Sequence, residues 1–441
     1  MKITTYLFIA ALLSLLGINS VYSQTPLTRA QELLELTRKG EGDSIHVRMN
    51  DNIRKMISPQ VFSDTFSKLE KQFGKYRSHG EWETDSAAGM TIYYTDVQFE
   101  KYELRFIVAF DDNGLANTIR FAPAPFKNIK SAVQMNEDKV GEAEMTIVSG
   151  AYKLPGTLTY PKGKTNVPVV ILVHGSGPSD RDATLGPNKP FRDIAWGLAE
   201  RGIAVIRYDK RTYVYGDKSA PDIARLTFDD ETVDDALAAI QWAESRKLIN
   251  NEAIYVAGHS MGAMLAPRIA ERSGKLAGII LIAGNARPME DLLPEQMTYL
   301  ASLQDSSDTM KAQIEELRKQ VANVKKIGTD QFDSSIDLPL GIQIAYWEFS
   351  NKYKQVDVAE KLNIPIFIVQ GERDYQVTMQ DFGIWRFELR RKPNVTFKSY
   401  PKLNHILQEG SGKSTPFEYN HPGPVPAYFI DDMAGFVNKQ K

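Results

Sequence analysis

Ile254-Tyr255-Val256-Ala257-Gly258-His259-Ser260-Met261-Gly262 decides how the rest of this chain is read. The first four residues are apolar, partly β-branched and free of turn formers, the pattern of a buried strand. Gly258 to Gly262 then matches G-x-S-x-G, and Ala263 to Ala270 reads as a helix with small residues where it would meet a sheet. Strand, sharp turn and helix are the context this motif needs. Glycines at 258 and 262 carry no Cβ, so the chain can turn tightly and the strand and helix can pass closely. Ser260 is expected at the apex, in strained backbone geometry, with its hydroxyl raised above the sheet as a nucleophile.

Outward from this stretch, strands and helices alternate. Met145 to Val148 and Leu154 to Tyr160 read as strands across Gly150, and Val169 to Val173 as a short buried strand. Pro190 to Arg201 reads as a helix, Gly202 to Arg207 as a strand, and Phe228 to Arg246 as one long helix with Asp229-Asp230-Glu231 at its start. Leu276 to Ala283 is the next strand and Ile364 to Val369 the last of the core, with Phe397 to Tyr400 after it. The alternation predicts an α/β fold, a doubly wound, mostly parallel sheet covered on both faces. From Pro288 to Trp347 the rhythm fails. Helical stretches at Leu292 to Leu300, Thr309 to Val324 and near Ile342 make residues 288–347 an insertion at the carboxyl ends of the strands. A lid or substrate wall above Ser260 is the functional reading of it, and a solvated appendage the plain one.

The leading part of the chain has another rhythm. Pro26 to Gly40 is a helix with Leu27, Ala30, Leu33, Leu34 and Thr37 on one side. A second helix is expected from about Asp43 to Met56, and a third opened by Ser58-Pro59. Gly89 to Tyr94, Val97 to Phe110 and Gly114 to Ala122 follow as strands, with a hairpin turn at Asp111-Asp112-Asn113-Gly114. Residues 25–125 thus form a small α+β unit whose aromatics are most simply its core. Residues 126–140 read as a linker and 141–441 as the second unit. Met1-Lys2, the apolar run Leu7 to Ile18 and the small Ser23 read as a signal peptide over residues 1–23, too short an apolar run for a membrane span. Export to the periplasm or medium follows, with the mature chain starting near Gln24.

Composition narrows the chemistry. With 441 residues, two domains are expected; 42% hydrophobic and 24% charged residues are a soluble-globular balance, and a net charge of -2 points away from nucleic acid. The chain holds no cysteine, which removes disulfides, thiolate metal sites and a thiol nucleophile. Six histidines, without an H-E-x-x-H pattern, imply neither metal nor other cofactor.

A serine nucleophile needs a base, and the base an orienting acid. Asp374, in Gln370-Gly371-Glu372-Arg373-Asp374, follows the strand ending at Val369; Glu372 is its rival. His405, in Lys402-Leu403-Asn404-His405, is the expected base. His259 points elsewhere, His174 belongs to a glycine-rich loop, His421 lies among prolines, and His46 and His79 lie in the other unit. An oxyanion needs backbone N–H donors. Met261, after the nucleophile, and Ser176, within His174-Gly175-Ser176-Gly177, are the expected pair.

With these parts in place, residues 141–441 resemble the α/β-hydrolase superfamily, and within it the serine-aminopeptidase-like (S33 type) hydrolases that include secreted carboxylesterases. The order Ser260, Asp374, His405 is theirs. His174 to Asp182, Pro187 to Asp193 and Arg207-Tyr208-Asp209-Lys210-Arg211 are similar to blocks of one esterase branch. Residues 25–125 resemble, more loosely, a DUF3887-like accessory domain. The resemblance implies hydrolysis of small carboxylic esters through a Ser-His-Asp triad and an acyl-enzyme. The alternatives are a prolyl-type serine aminopeptidase acting on short peptides and a non-catalytic binding protein, with polymer or cell-wall binding by the leading unit as a further possibility. An aminopeptidase needs an acid to hold the substrate ammonium, and Glu290, Asp291, Glu295 or Glu348 could supply it. Arg181, Lys189, Arg192, Lys210 and Arg211 could hold a carboxylate, but a structural ion-pair network with Asp182, Asp193 and Asp209 is the simpler reading.

Overall fold

The computed structural model describes residues 25–87, 90–100, 102–124, 134–303 and 308–439. The chain divides into two compact units, one ending at Pro125 and the other beginning at Phe126. The expected leader, residues 1–23, lies outside the described residues, as does the stretch 126–133 of the expected linker.

In the first unit, α1 (Pro26–Lys39) starts at Thr25, whose hydroxyl accepts from Thr28 N–H at 3.2 Å, and ends at Gly40 in the left-handed region. It buries Ala30, Leu33, Leu34 and Thr37. The single helix expected from Asp43 to Met56 is instead two, α2 (Gly42–His46) and α3 (Asp51–Met56). Asn50 causes the break: its side chain caps α3 by accepting from Ile53 N–H at 3.0 Å, which competes with a continuing helix. A longer helix, α4 (Pro59–Phe73), buries Phe62, Phe66 and Phe73. The strands are β1 (Tyr76–His79), β2 (Glu83–Ala87), β3 (Met90–Phe99), β4 (Glu103–Phe110) and β5 (Ala116–Pro123). They form an antiparallel sheet in the order β1-β3-β4-β5, with β2 also paired to β3. The expected strand Val97 to Phe110 is therefore divided between β3 and β4, and Phe99 N–H bonds the Tyr102 carbonyl across the reversal. The sequence does mark that turn, by Glu100-Lys101, two polar residues in a row that shift the apolar alternation by one. Phe66 meets Phe99 at 5.5 Å and Phe121 at 6.2 Å between ring centroids, so helix and sheet aromatics share one core.

The second unit is built on β6 (Val140–Ser149), β7 (Tyr152–Pro161), β8 (Val167–Val173), β9 (Ala204–Tyr208), β10 (Ile249–His259), β11 (Gly278–Ile282), β12 (Ile366–Gly371) and β13 (Val395–Tyr400). The eight strands follow the order β13-β12-β11-β10-β8-β9-β7-β6. From β9 to β13 all neighbours are parallel; β7 lies antiparallel to β9 and to β6. The sheet is thus mostly parallel, as expected, and β13, the strand expected at Phe397 to Tyr400, forms its edge.

The helices are α5 (Pro190–Glu200), α6 (Arg211–Tyr215), α7 (Asp234–Glu244) and α8 (Met261–Ser273). A long excursion between β11 and β12 carries α9 (Met289–Ser302), α10 (Asp308–Val324), α11 (Ile344–Lys352) and α12 (Gln355–Lys361). The last two are α13 (Met379–Glu388) and α14 (Ala427–Asn438). Strand side chains alternate between two cores. Val169, Ile171 and Val173 of β8 join Ile254 and Val256 of β10 under α7, α8 and α13. Val170 and Leu172 join Tyr255 and Ala257 under α5 and α14. Burial on both faces explains why these strands read as unbroken apolar runs. Where one helix was expected from Phe228 to Arg246, Asp229–Val233 form a wider, π-helical turn ahead of α7, and Glu231 is buried in it. Helix α11 runs past residue 347, because Tyr346, Trp347 and Ser350 share its buried face.

Candidate active site

Ser260 sits at the junction of β10 and α8 with φ 56° and ψ −119°, a conformation that L residues rarely adopt. Such strain costs about 1–3 kcal/mol and persists only where the surroundings over-determine it. Here they do. Ser260 N–H bonds the Ile282 carbonyl at 2.9 Å, and its own carbonyl accepts from Ala263 and Met264 N–H at 2.9 and 3.0 Å. A Cβ at Gly258 would fall 2.1 Å from the Gly262 carbonyl oxygen, and one at Gly262 2.3 Å from that of Val173. The expected strand, turn and helix are all present.

Asp374 and His405 come from the loops after β12 and β13, at the same carboxyl edge of the sheet. His405 Nδ1 lies 2.7 Å from Asp374 Oδ2, and both side chains are almost wholly buried. Gln370 Nε2 donates to the same oxygen at 3.1 Å, while Oδ1 accepts from Gln376 and Val377 N–H at 2.7 and 3.1 Å. The carboxylate is thus held at four points, and an imidazole engaged through Nδ1 presents Nε2 as a base. Glu372, the rival acid, instead accepts from Ser399 Oγ at 2.7 Å on the exposed side of the sheet.

The histidines set aside have structural partners. His259 Nε2 lies 2.8 Å from the His405 carbonyl oxygen and anchors the loop that carries His405. His174 Nε2 lies 2.9 Å from the Asp180 carbonyl oxygen. Burial, aided by the neighbouring His405, pushes the His259 pKa down to about 3. Burial, aided by the Lys210 ammonium, pushes that of His174 down to about 4. Each therefore stays neutral near pH 7 and donates one N–H to its carbonyl.

The loop after β8 runs beside the nucleophile: a Cβ at Gly175 would stand 3.0 Å from Ser260 Cβ and 3.5 Å from Oγ. Ser176, Gly177, Ser260 and Met261 line one cavity of about 520 Å³. Met261 opens α8, and the first amides of a helix have no partner in a preceding turn. The other walls come largely from the excursion: Met289, Leu292 and Leu293 of α9, then Leu340, Ile342 and Tyr346. The insertion expected at 288–347 therefore walls the space above Ser260.

Charges near the cavity are spoken for. Arg181 pairs with Asp209, Lys189 with Asp182 and Arg192 with Asp193. Lys210 pairs with Glu231, which the sequence shows only as part of a helix start, and Arg211 pairs with Asp235. Glu290, Asp291, Glu295 and Glu348 bond Ser350, Lys325, Arg287 and Lys352, and none of the four lines the cavity. Glu231 does line it, and only the wide turn at Asp229–Val233 turns that side chain inward. Among the described residues no group of His, Asp and Glu is placed to hold a metal ion, and no helix is long and apolar enough to cross a membrane.

Comparison with known proteins adds three findings. The model of the family described as serine aminopeptidase, S33, matches residues 167–411, more than half of the chain, and that of DUF3887, a family of unknown function, matches residues 30–116. Esterase EstD of Thermotoga maritima is 36% identical over 392 residues, 88% of this chain and 90% of that protein. Solved structures of α/β-hydrolase esterases align too. Est1E from Butyrivibrio proteoclasticus is 18% identical with a TM-score of 0.44, over 67% of this chain and 98% of that one. The Pyrococcus furiosus esterase Pf2001 is 17% identical with a TM-score of 0.45, over 72% and 97%.

Proposed function

We propose, from the premise that this chain belongs to the serine aminopeptidase (S33) family of α/β-hydrolases, that it is an esterase cleaving uncharged carboxylic esters through Ser260. One observation carries the reading: a strained serine lines a mainly apolar cavity, and a buried Asp374–His405 pair stands nearby, the His405 ring 4.7 Å from that of His259, the residue before Ser260. Ser260 Oγ attacks the ester carbonyl while His405 Nε2 takes its proton. Asp374 holds the imidazole and stabilises the imidazolium. The carbonyl oxygen becomes an anion facing the Met261 and Ser176 amides. As the tetrahedral species collapses, the C–O bond to the alcohol breaks and His405 protonates the leaving alkoxide. A water, deprotonated by the same Nε2, then attacks the acyl-enzyme; the acid leaves and Ser260 regains its proton.

Esters are favoured over peptides by the cavity's charges. A free amino terminus needs an unpaired acid, and the four candidate acids are engaged elsewhere. Glu231, the acid that lines the cavity, is already bound to Lys210 and Tyr346. The test is fluorophosphonate labelling of the intact chain and of Ser260→Ala, beside nitrophenyl acyl esters and aminoacyl or prolyl nitroanilides. Label lost in the variant, with ester turnover, is the expected result. Faster anilide cleavage would favour the aminopeptidase, and a folded chain that neither labels nor turns over would be a binding protein.

We propose separately that the enzyme is exported. Its support is the charged start, apolar run and small residue of residues 1–23. Sequencing the chain recovered from periplasm or medium should give a start near Gln24, and recovery of intact chain from cytoplasm overturns the placement.

A further inference from the structure

A buried ammonium in this unit has a role the triad does not use. Lys210 follows β9 and is 2% exposed. Taking an ammonium out of water costs several kcal/mol, so its partners must be good ones. Its three N–H donors meet three acceptors: the Gly175 carbonyl at 2.9 Å, the Gly177 carbonyl at 3.1 Å and Glu231 Oε1 at 2.6 Å. Two of the three belong to the loop beside Ser260.

The peptide group explains why this matters. The Gly175 carbonyl and the Ser176 N–H are the two ends of one planar trans unit, and they point in opposite directions. Holding the oxygen on one side aims the hydrogen at the other. A cation on the oxygen also polarises the unit and strengthens its N–H as a donor. The contact continues into the excursion. Tyr346 of α11 donates to Glu231 Oε2 at 2.8 Å, and its hydroxyl lies 3.2 Å from Met261 Sδ. One lid residue thus touches the support of one oxyanion amide and the side chain of the residue that supplies the other.

We propose that Lys210 is a positioning residue that orients and polarises the Gly175–Ser176 peptide as an oxyanion donor, and that Tyr346 fixes this arrangement to the lid through Glu231. The proposal rests on the esterase reading. It predicts an effect on the transition state rather than on substrate binding.

The test measures kcat and KM with a nitrophenyl ester, and the Ki of an alkyl trifluoromethyl ketone, whose serine adduct carries the oxyanion. In Lys210→Met, kcat should fall about 10- to 100-fold with KM within about threefold, and Ki should weaken by the same factor as kcat/KM. Because Lys210→Met leaves a buried carboxylate without its cation, the double variant Lys210→Met/Glu231→Gln and the single Tyr346→Phe are made alongside. The double variant should match the first effect. Tyr346→Phe removes one hydrogen bond and should cost about three- to tenfold, again in kcat and Ki together. Unchanged kcat and Ki in the folded double variant and in Tyr346→Phe overturn the proposal, as does a rise in KM alone. Ser260→Ala is the control: if it still turns over ester, the underlying reading falls, whereas if it is inactive and the other variants behave as wild type, only the positioning role does.

Discussion

The floor and the roof of the cavity are held by different kinds of contact. On the floor, main-chain bonds carry much of the hold: the Ser260 elbow is clamped between Ile282 and α8, and Asp374 accepts from two main-chain amides as well as from the side chain of Gln370 and that of His405. The roof hangs largely on side chains. Lys325 pairs with Asp291 near the surface, Gln296 reaches the Gln376 carbonyl at 2.8 Å, and Tyr346 reaches Glu231. Main-chain bonds survive most substitutions, whereas side-chain ties do not. The chemistry is therefore built where sequence change is costly and the selectivity where it is cheap.

The hardest break in this comparison is at Ser260. Ser260→Ala should lower turnover on the order of 10⁴-fold or more. Ser260→Gly should be as inactive, yet more stable than Ser260→Ala by about 1 kcal/mol, because glycine tolerates a φ of 56° and alanine does not. Urea unfolding of the two variants measures it, and equal stability would show that the elbow is not strained. Next comes the acid. Asp374→Asn should lower kcat about 10³- to 10⁴-fold, since the amide favours the wrong imidazole tautomer. Glu372→Gln, two residues away, should stay within about twofold. Equal losses would reverse the assignment.

The floor also carries a pH dependence. His174 and His259 are held neutral down to about pH 4 and pH 3, whereas in the unfolded chain each takes a proton near pH 6.5. Below that value the unfolded state binds more protons. Stability is therefore full above about pH 6.5 and falls as the pH drops toward 4 and 3. At pH 5 each histidine should account for about 2 kcal/mol, at about 1.4 kcal/mol per pH unit. In His174→Gln, the loss of unfolding free energy between pH 7 and pH 5 should shrink by about that amount. An unchanged difference would mean that His174 is not held neutral.

The same division explains what could be read from the sequence. Ser260, the 174–177 loop and Asp374 each follow an apolar strand, so these candidates could be picked by motif and strand, whereas His405 follows the half-exposed β13 and is picked by its order in the chain and by elimination among six histidines. Their neighbours could not. Gln370 and Glu231 matter because of where burial and a π-helical turn put their side chains, and neither leaves a periodic trace. Lys210 looks in the sequence like one of several loop cations; its three acceptors each lie more than 20 residues from it along the chain. In the first unit, the reversal after Phe99 is marked only by the two-residue polar step Glu100-Lys101 inside a strand-like run, and the helical spacing of Ile45, Met49, Ile53 and Met56 runs straight through the break at Asn50.

The smallest effect is expected in the roof, at Leu292. This side chain of α9 is 4% exposed and lines the cavity. Leu292→Ala should leave kcat/KM for an acetate ester within about twofold. For an octanoate ester, long enough to reach the wall, it should fall about tenfold, near 1.4 kcal/mol of lost apolar contact. The ratio of the two is the informative quantity, because a general disturbance of the elbow would lower both together. A parallel loss would mean that α9 supports the floor rather than shapes the substrate, and roof and floor would then be one structure instead of two.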